Sequence, residues 1–401
     1  MKRFGRGTPF GPVGEAPSVG RVEYLEKARR RVQARRQRRA ALIVALLAAL
    51  VVWITGAAGS SIAMAKDLVD SMKIALLPRQ GYPRQTGIFE LYQAEALAGS
   101  YVLLGKEGCT VWASGGSRLN SIRTSYARPA LAAGKNHFVL YNRSGTELRV
   151  ESRTQNLYAL TTENKIYLCG MADNGALAVV TEDPRTLARL TVYSPSMEEQ
   201  LRWSVTTAEG TPLRLAFSPD ANRLAVATLT AADSTTLSNL CLLSMQEGEP
   251  VCLGAQPGSV PAWVGWVSAR EILVLYNDCA VLYDAAGGEK ARYDYGGRTL
   301  AGYSVCEAGP ALLFEGQAVL LDKGLAVSWQ GAVPSANRIV RTGEGFYLLC
   351  EESVEAFGSD GVYLWSEQLE ARPEALLPVG RKLLLFCSNT ARLLTPPEAE
   401  E

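Results

Sequence analysis

A short apolar strand recurs eight times along this chain, and no other feature limits its fold so tightly. The instances are Tyr101-Val-Leu-Leu-Gly105, Phe138-Val-Leu-Tyr-Asn142, Leu177-Ala-Val-Val-Thr181, Leu224-Ala-Val-Ala-Thr228, Ile272-Leu-Val-Leu-Tyr276, Leu312-Leu-Phe-Glu315, Phe346-Tyr-Leu-Leu-Cys350 and Leu383-Leu-Leu-Phe-Cys387. Their starts lie 37, 39, 47, 48, 40, 34 and 37 residues apart. A Gly-containing or polar turn follows each, then a second apolar strand such as Ala280-Val-Leu-Tyr283 or Ala318-Val-Leu-Leu321. A third strand often returns after an Asp-Gly turn, as Val362-Tyr-Leu-Trp365 does after Ser359-Asp-Gly361. Such a period holds four strands of five or six residues with their turns. The fold class expected is therefore all-β, a β-propeller of eight blades, with seven as the alternative. Its expected limits are 86–396. The last unit runs short of strands, whereas Gly87-Ile-Phe-Glu-Leu-Tyr92 is a strand without a blade. Strand 87–92 is expected to complete the final blade and remove an exposed sheet edge.

Ahead of the repeat stands a different kind of sequence. Residues 1–40 carry 12 Lys and Arg against 3 acidic residues, and the remainder carries 29 against 37. From Ala40 to Ala65 no residue is charged. A run of that length is expected to cross a bilayer as one N-terminal transmembrane helix, a signal anchor over 40–62. Arg29, Arg30, Arg31, Arg35, Arg36, Arg38 and Arg39 stand directly before it and are expected to determine topology, holding the tail 1–39 in the cytoplasm. The alternative is a signal peptide cleaved after Ala65, since Ala63-Met64-Ala65 has the small-x-small form. Residues 63–85 read as a stalk or linker, with helical spacing over 66–77 ended by Pro78 and Pro83. The acidic tail is 397–401. These expectations place the protein in the plasma membrane as a single-pass chain with its propeller outside.

The strand-turn-strand-Asp/Gly-turn-strand-Trp unit, clearest across 272–394, resembles the PQQ-type propeller repeat. Leu215-Ala-Phe-Ser-Pro-Asp220-Ala-Asn-Arg-Leu224 resembles the hairpin of TolB- and WD40-like propellers, with Ala221 in place of the usual glycine. The whole layout resembles an uncharacterised membrane-anchored propeller family of Gram-positive bacteria, a domain of unknown function, and that resemblance implies no assigned activity.

Chemistry is sparse. His137 is the one histidine, which excludes His-rich zinc centres; at a strand start it reads as a surface or strand-edge residue. The adjacent Cys-Cys pair of PQQ enzymes is missing, as is a cluster of acids to hold calcium, so no cofactor is expected. Ser359-Asp360-Gly361 lacks the Trp spacing of a sialidase Asp box and reads as a turn. None of the eight cysteines has C-x-x-C spacing, and they read as small buried apolar groups. Cys241 and Cys252 would face each other across a hairpin turning at Gln246-Glu247. A disulfide between them is the alternative to free buried thiols. In Pro261-Ala-Trp-Val-Gly-Trp266, Trp266 reads as blade core and Trp263 as a candidate surface-binding residue. No Gly-rich loop supports nucleotide hydrolysis, and the large domain has no basic footprint for nucleic acid.

The expected function is an extracytoplasmic scaffold that binds envelope or membrane proteins or cell-wall material, with the lipid membrane engaged through the helix. The alternatives are an envelope enzyme, hydrolase or quinoprotein-like oxidoreductase, and a ligand sensor using the propeller channel.

Overall fold

The computed structural model describes residues 67–395 apart from 68, 233, 247–249 and 381. These residues form one helix, over 67–76, followed by eight four-stranded antiparallel sheets. In seven sheets the four strands are consecutive in the chain. The first blade, for example, is Leu91–Leu97, Ser100–Gly105, Gly108–Ala113 and Arg118–Arg123. The first strand of each blade lies innermost, beside the first strands of its neighbours, so the eight sheets ring a central channel.

The recurring apolar run is the second strand of every blade. Ser100–Gly105 in the first blade and Gly309–Phe314 in the sixth are buried along their whole length. A middle strand in a blade is covered by a neighbouring blade on each face, so both sets of alternating side chains must be apolar. Outermost strands are half in water, and Glu289–Asp294, Val327–Ala332 and Tyr363–Gln368 alternate accordingly. The core therefore lies between blades. Leu190, Val192 and Trp203 of the third blade pack on Leu224, Val226 and Cys241 of the fourth. Each such buried Leu or Val contributes about 2 kcal/mol. Turn chemistry fits the same plan. Asp322 accepts hydrogen bonds from the Gly324 and Ala326 amides at 2.8 and 2.9 Å. Ala221 adopts φ +57°, the left-handed conformation that a glycine would take without strain.

The ring closes through its two ends. The eighth blade has Pro373–Val379, Lys382–Cys387 and Thr390–Leu393 from the C-terminal region, and Arg84–Gln85 supplies its outermost strand. Arg84 pairs with Ala391 and Gln85 with Thr390. The Thr86 and Gly87 amides donate to the Asn389 backbone and side-chain oxygens, each at 2.7 Å. The closing strand is thus not 87–92; Leu91 and Tyr92 open the innermost strand of the first blade. Tyr101, Leu103 and Trp112 of the first blade pack on Leu384 and Phe386 of the eighth, sealing the same joint with apolar surface.

One part of the expected fold class is corrected. The span 40–62 lies outside the described residues, as do the seven arginines from Arg29 to Arg39. Among the described residues no helix is long and apolar enough to cross a membrane. The supported fold class is an eight-bladed propeller alone. The transmembrane helix, the plasma-membrane localisation and the lipid partnership that depended on it are withdrawn, and the envelope or cell-wall partner goes with them. Segment 67–76 is helical, and it packs against the ring instead of leading away from it.

Candidate functional site

Three places on the ring hold polar groups that the packing does not require. In each blade the first strand starts on one face, here called the upper, and ends on the lower.

The channel is the first. Arg214 lies on the fourth blade's innermost strand, Thr211–Phe217. Its Nε donates to Ala262 O at 2.7 Å and its Nη1 to Leu213 O at 2.8 Å. Tyr303, on Gly302–Cys306 of the sixth blade, donates its hydroxyl to the same Ala262 O at 3.3 Å. In the first blade, Gln93 Nε2 donates to Glu95 Oε1 and to Leu131 O of the second blade, both at 3.0 Å. Burial raises the Glu95 carboxyl above its ordinary range, partly offset by the Gln93 hydrogen bond. Burial also raises the Tyr303 phenol, while Arg214 draws it down and Glu95 pushes it up. The phenol thus feels both charges. Among the described residues neither Arg214 nor Glu95 has an ion-pair partner. Glu374, on the eighth blade's innermost strand, is also raised by burial, with Arg338 lowering it and Glu90 raising it.

The second place is the fourth blade's central hairpin. Its strands, Arg223–Ala232 and Thr235–Ser244, have ten residues each. The corresponding strands elsewhere have four to six. The flanking strands stop at the pairings Thr211–Leu229 and Leu237–Pro257. Beyond these, the hairpin projects from the upper face with its strands paired to each other, and Thr236 O also accepts from the Gly258 amide at 2.8 Å. Its base is braced by neutral side chains on carbonyls. Thr230 donates to Thr207 O at 3.0 Å, Asn239 to Glu209 O at 3.1 Å and Ser238 to Ser259 O at 2.9 Å; Thr228 also bonds Glu209 O. A groove of about 730 Å³ runs along that base, lined by Thr207, Thr211, Thr230, Thr236 and Asn239 among others.

The third place is on the lower face, where helix 67–76 docks on the first two blades through its polar side. His137 Nε2 lies 2.9 Å from Asp67 Oδ1, and Asn136 donates to Asp67 Oδ2 at 3.2 Å. Ser152 donates to Asp70 Oδ2 at 3.0 Å. Arg153 donates to Ala98 O, Ser71 Oγ and Asp67 O at 2.8, 2.8 and 3.3 Å. Val69, Met72 and Leu76 face outward, 49, 60 and 85% exposed. Burial lowers the His137 imidazole, against the pull of Asp67, and its Nδ1 is buried without a hydrogen-bond partner.

The residues singled out in the sequence fall as follows. Cys241 and Cys252 sit opposite each other in register and are joined by a disulfide, not left as free thiols. The bridge ties the projecting hairpin to the blade's outermost strand. Other cysteines are free, and burial pushes the Cys109 and Cys279 thiols up to about 12, away from reactivity. Trp263 is half-buried in the contact between the fifth and sixth blades, its ring lying over Gly265. Trp266 donates Nε1 to Ala216 O of the fourth blade at 3.0 Å. His137 is buried, not at the surface. Arg214, Glu95 and Tyr303 were not singled out. Each comes from a different blade, and no spacing links them. Among the described residues no group of three or more His, Cys, Asp or Glu is placed to hold a metal.

A sequence family described as "Family of unknown function (DUF5711)" matches residues 82–294. No curated protein matches the chain in sequence. Among solved structures, apo AztD from Citrobacter koseri is similar with a TM-score of 0.54 at 10% identity, covering 71% of this chain and 86% of that one. BamB from Moraxella catarrhalis gives 0.51 at 11% identity, covering 80% and 98%. Hsv2 from Kluyvelomyces marxianus gives 0.50 at 9%, covering 70% and 99%. At such identities the likeness is one of fold. These matches carry nothing on a Gram-positive source or a membrane anchor.

Proposed function

Since this chain belongs to the family of unknown function DUF5711, which brings no activity with it, we propose from its geometry that it is a binding scaffold for a polypeptide partner, engaged through the upper face. The observation that carries this reading is the fourth-blade hairpin. A strand that outruns its neighbour offers unpaired N–H and C=O groups along its free edge, here the edge of Arg223–Ala232 beyond Leu229, and an extended segment can pair with such an edge. The tip sequence Thr230-Ala-Ala-Asp-Ser-Thr-Thr236 has no large apolar residue that would explain its length. The bracing at its base and the Cys241–Cys252 bridge hold the projection in one orientation, which lowers the entropic cost of binding. A rigid ring carrying one variable projection is a common way to separate stability from recognition.

The test uses a photo-crosslinking residue at Thr235, with an identical residue at Ala269 as control. Ala269 is exposed in the lower-face turn between Pro261–Ser268 and Glu271–Tyr276. One defined polypeptide should be captured from Thr235 and not from Ala269. Shortening the hairpin by removing 231–236 and closing it with an Asn-Gly turn between the paired Thr230 and Leu237 should abolish capture and leave the circular dichroism spectrum unchanged. Equal capture from both positions, or capture that survives shortening, overturns the reading.

A further inference from the structure

We propose that the cavity between helix 67–76 and the lower turns of the first two blades binds a small organic anion, a carboxylate carrying a short aliphatic chain, with Arg153 and Arg79 as its counter-charges. This goes beyond the hairpin reading and does not depend on it. The cavity holds about 420 Å³, the size of a small-molecule site. The helix and the turn after it supply Ser71, Ile74, Leu77, Pro78 and Arg79. The first blade supplies its turns around Gly99 and Gly115, and the second blade supplies Arg153. Among the described residues that line the space, two are basic and none is acidic.

Arg153 is 3% exposed, and a charge so buried ordinarily has a counter-charge beside it. Here its acceptors are all neutral: Ala98 O for Nη1, and Asp67 O with Ser71 Oγ for Nη2. Its Nε is buried with no hydrogen-bond partner. The carboxylates of the helix are engaged elsewhere. Asp67 turns one oxygen to His137 and the other to Asn136, and Asp70 turns its two to Ser152 and Lys73. Their fields reach Arg153 and support it only in part, since burial still lowers the guanidinium. Ala98 and Ser71, which fix that group, both line the cavity, so a cation with no ion-pair partner among the described residues sits at its wall. Arg79 adds a second cation, its stem lying across Gly115, where an added Cβ would come within 3.3 Å of Arg79 Cγ. The C-terminal end of the helix dipole opposes an anion here, and two guanidinium groups outweigh it. An inorganic ion would answer the charge and nothing else. Ile74, Leu77 and Pro78 give the same space an apolar wall, which a short alkyl chain covers.

The experiment is calorimetric titration of the full chain with hexanoate, and with acetate, inorganic phosphate and hexanol as partial probes. Hexanoate should bind at least about tenfold more tightly than any of the three, the factor given by burying about two methylene groups or by one charge-assisted hydrogen bond. Arg79→Gln should weaken hexanoate by about tenfold or more, while Lys106→Gln, in the upper-face turn of the first blade, should change nothing. Ser71 and Ile74 belong to the cavity wall, so an occupant also holds the helix down. At about ten times its dissociation constant, hexanoate should slow hydrogen exchange across 69–76 by about tenfold and leave 223–244 unchanged. No binding by hexanoate, any partial probe binding as tightly, or binding that neither Arg79→Gln weakens nor the helix amides register, overturns the proposal.

Discussion

Two additions are fastened to the same ring by different physics. The fourth-blade hairpin stands on the upper face, held by neutral hydroxyl and amide groups on carbonyls and by one covalent bridge. Helix 67–76 lies on the lower face, held by ionisable groups, with Asp70, His137 and Arg153 buried and Asp67 half-buried. Neutral hydrogen bonds and a disulfide do not answer to pH, whereas buried charges are strong only while each stays paired. The hairpin is therefore built to stay in place, and the helix is built so that one lost partner releases it.

The sharpest way to separate the two is Arg153→Ala. The side chain is buried and bonds Ala98, Asp67 and Ser71. Its loss removes both of its hydrogen bonds to the helix, from a charged donor to Asp67 O and Ser71 Oγ, at a cost of about 3 kcal/mol to helix docking. Hydrogen exchange should rise sharply across 69–76 and stay unchanged across 223–244. Protection lost in both regions would mean that the two attachments are coupled through the ring. Next in size is Cys241→Ala with Cys252→Ala. The bridge closes a short loop of sequence separation 11, so its removal should lower stability by about 2–3 kcal/mol. Urea melts with and without reductant should show the same loss in the parent chain, with the helix amides unaffected.

Acidification acts on the other attachment. His137 is lowered by burial, so the folded state prefers the neutral imidazole. The stability this group supplies is complete above its unfolded value of about 6.5 and is lost as pH falls from there toward the folded value. The proton would go onto Nδ1, which has no acceptor. Helix protection should therefore weaken on acidification, by the order of one buried hydrogen bond, about 1 kcal/mol. His137→Gln should flatten that dependence. A hairpin that loosened over the same range would erase the contrast. The smallest effect is expected from shortening the hairpin tip, which should shift stability by under about 0.5 kcal/mol. A larger loss would make the tip part of the fold and not an addition to it.

How far all this was legible in the sequence depended on which force held each part. Second strands such as Tyr101–Gly105 are sandwiched on both faces, so their apolar runs stand out and set the blade count. The register of Cys241 against Cys252 followed from symmetry about a turn, but register alone does not say whether two thiols are joined. The closing strand was misplaced because Arg84–Gln85 pairs through its backbone alone, with one side chain half-buried and the other exposed, and leaves no apolar trace. Leu91–Leu97 carried the trace and belonged elsewhere. His137 was misread because its cover, Asp67, lies far back in the chain, ahead of every blade. Arg214 and Tyr303 come from different blades, and only the closed ring brings both to the one carbonyl, Ala262 O.

The joint between Arg84–Gln85 and Thr390–Ala391 has a consequence for the order in which the protein is made. The ribosome delivers the last blade's outer strand before it delivers any blade, and that strand waits through about 300 residues of synthesis. Until the eighth blade emerges, Tyr101, Leu103 and Trp112 on the first blade lack the cover of Ala375, Val379, Leu384 and Phe386. A nascent chain halted anywhere in that interval presents an apolar flank at its start and an unpaired edge at its end. Premature termination near the C-terminus is thus no minor truncation: it leaves a product that chaperones and proteases can distinguish from the finished ring.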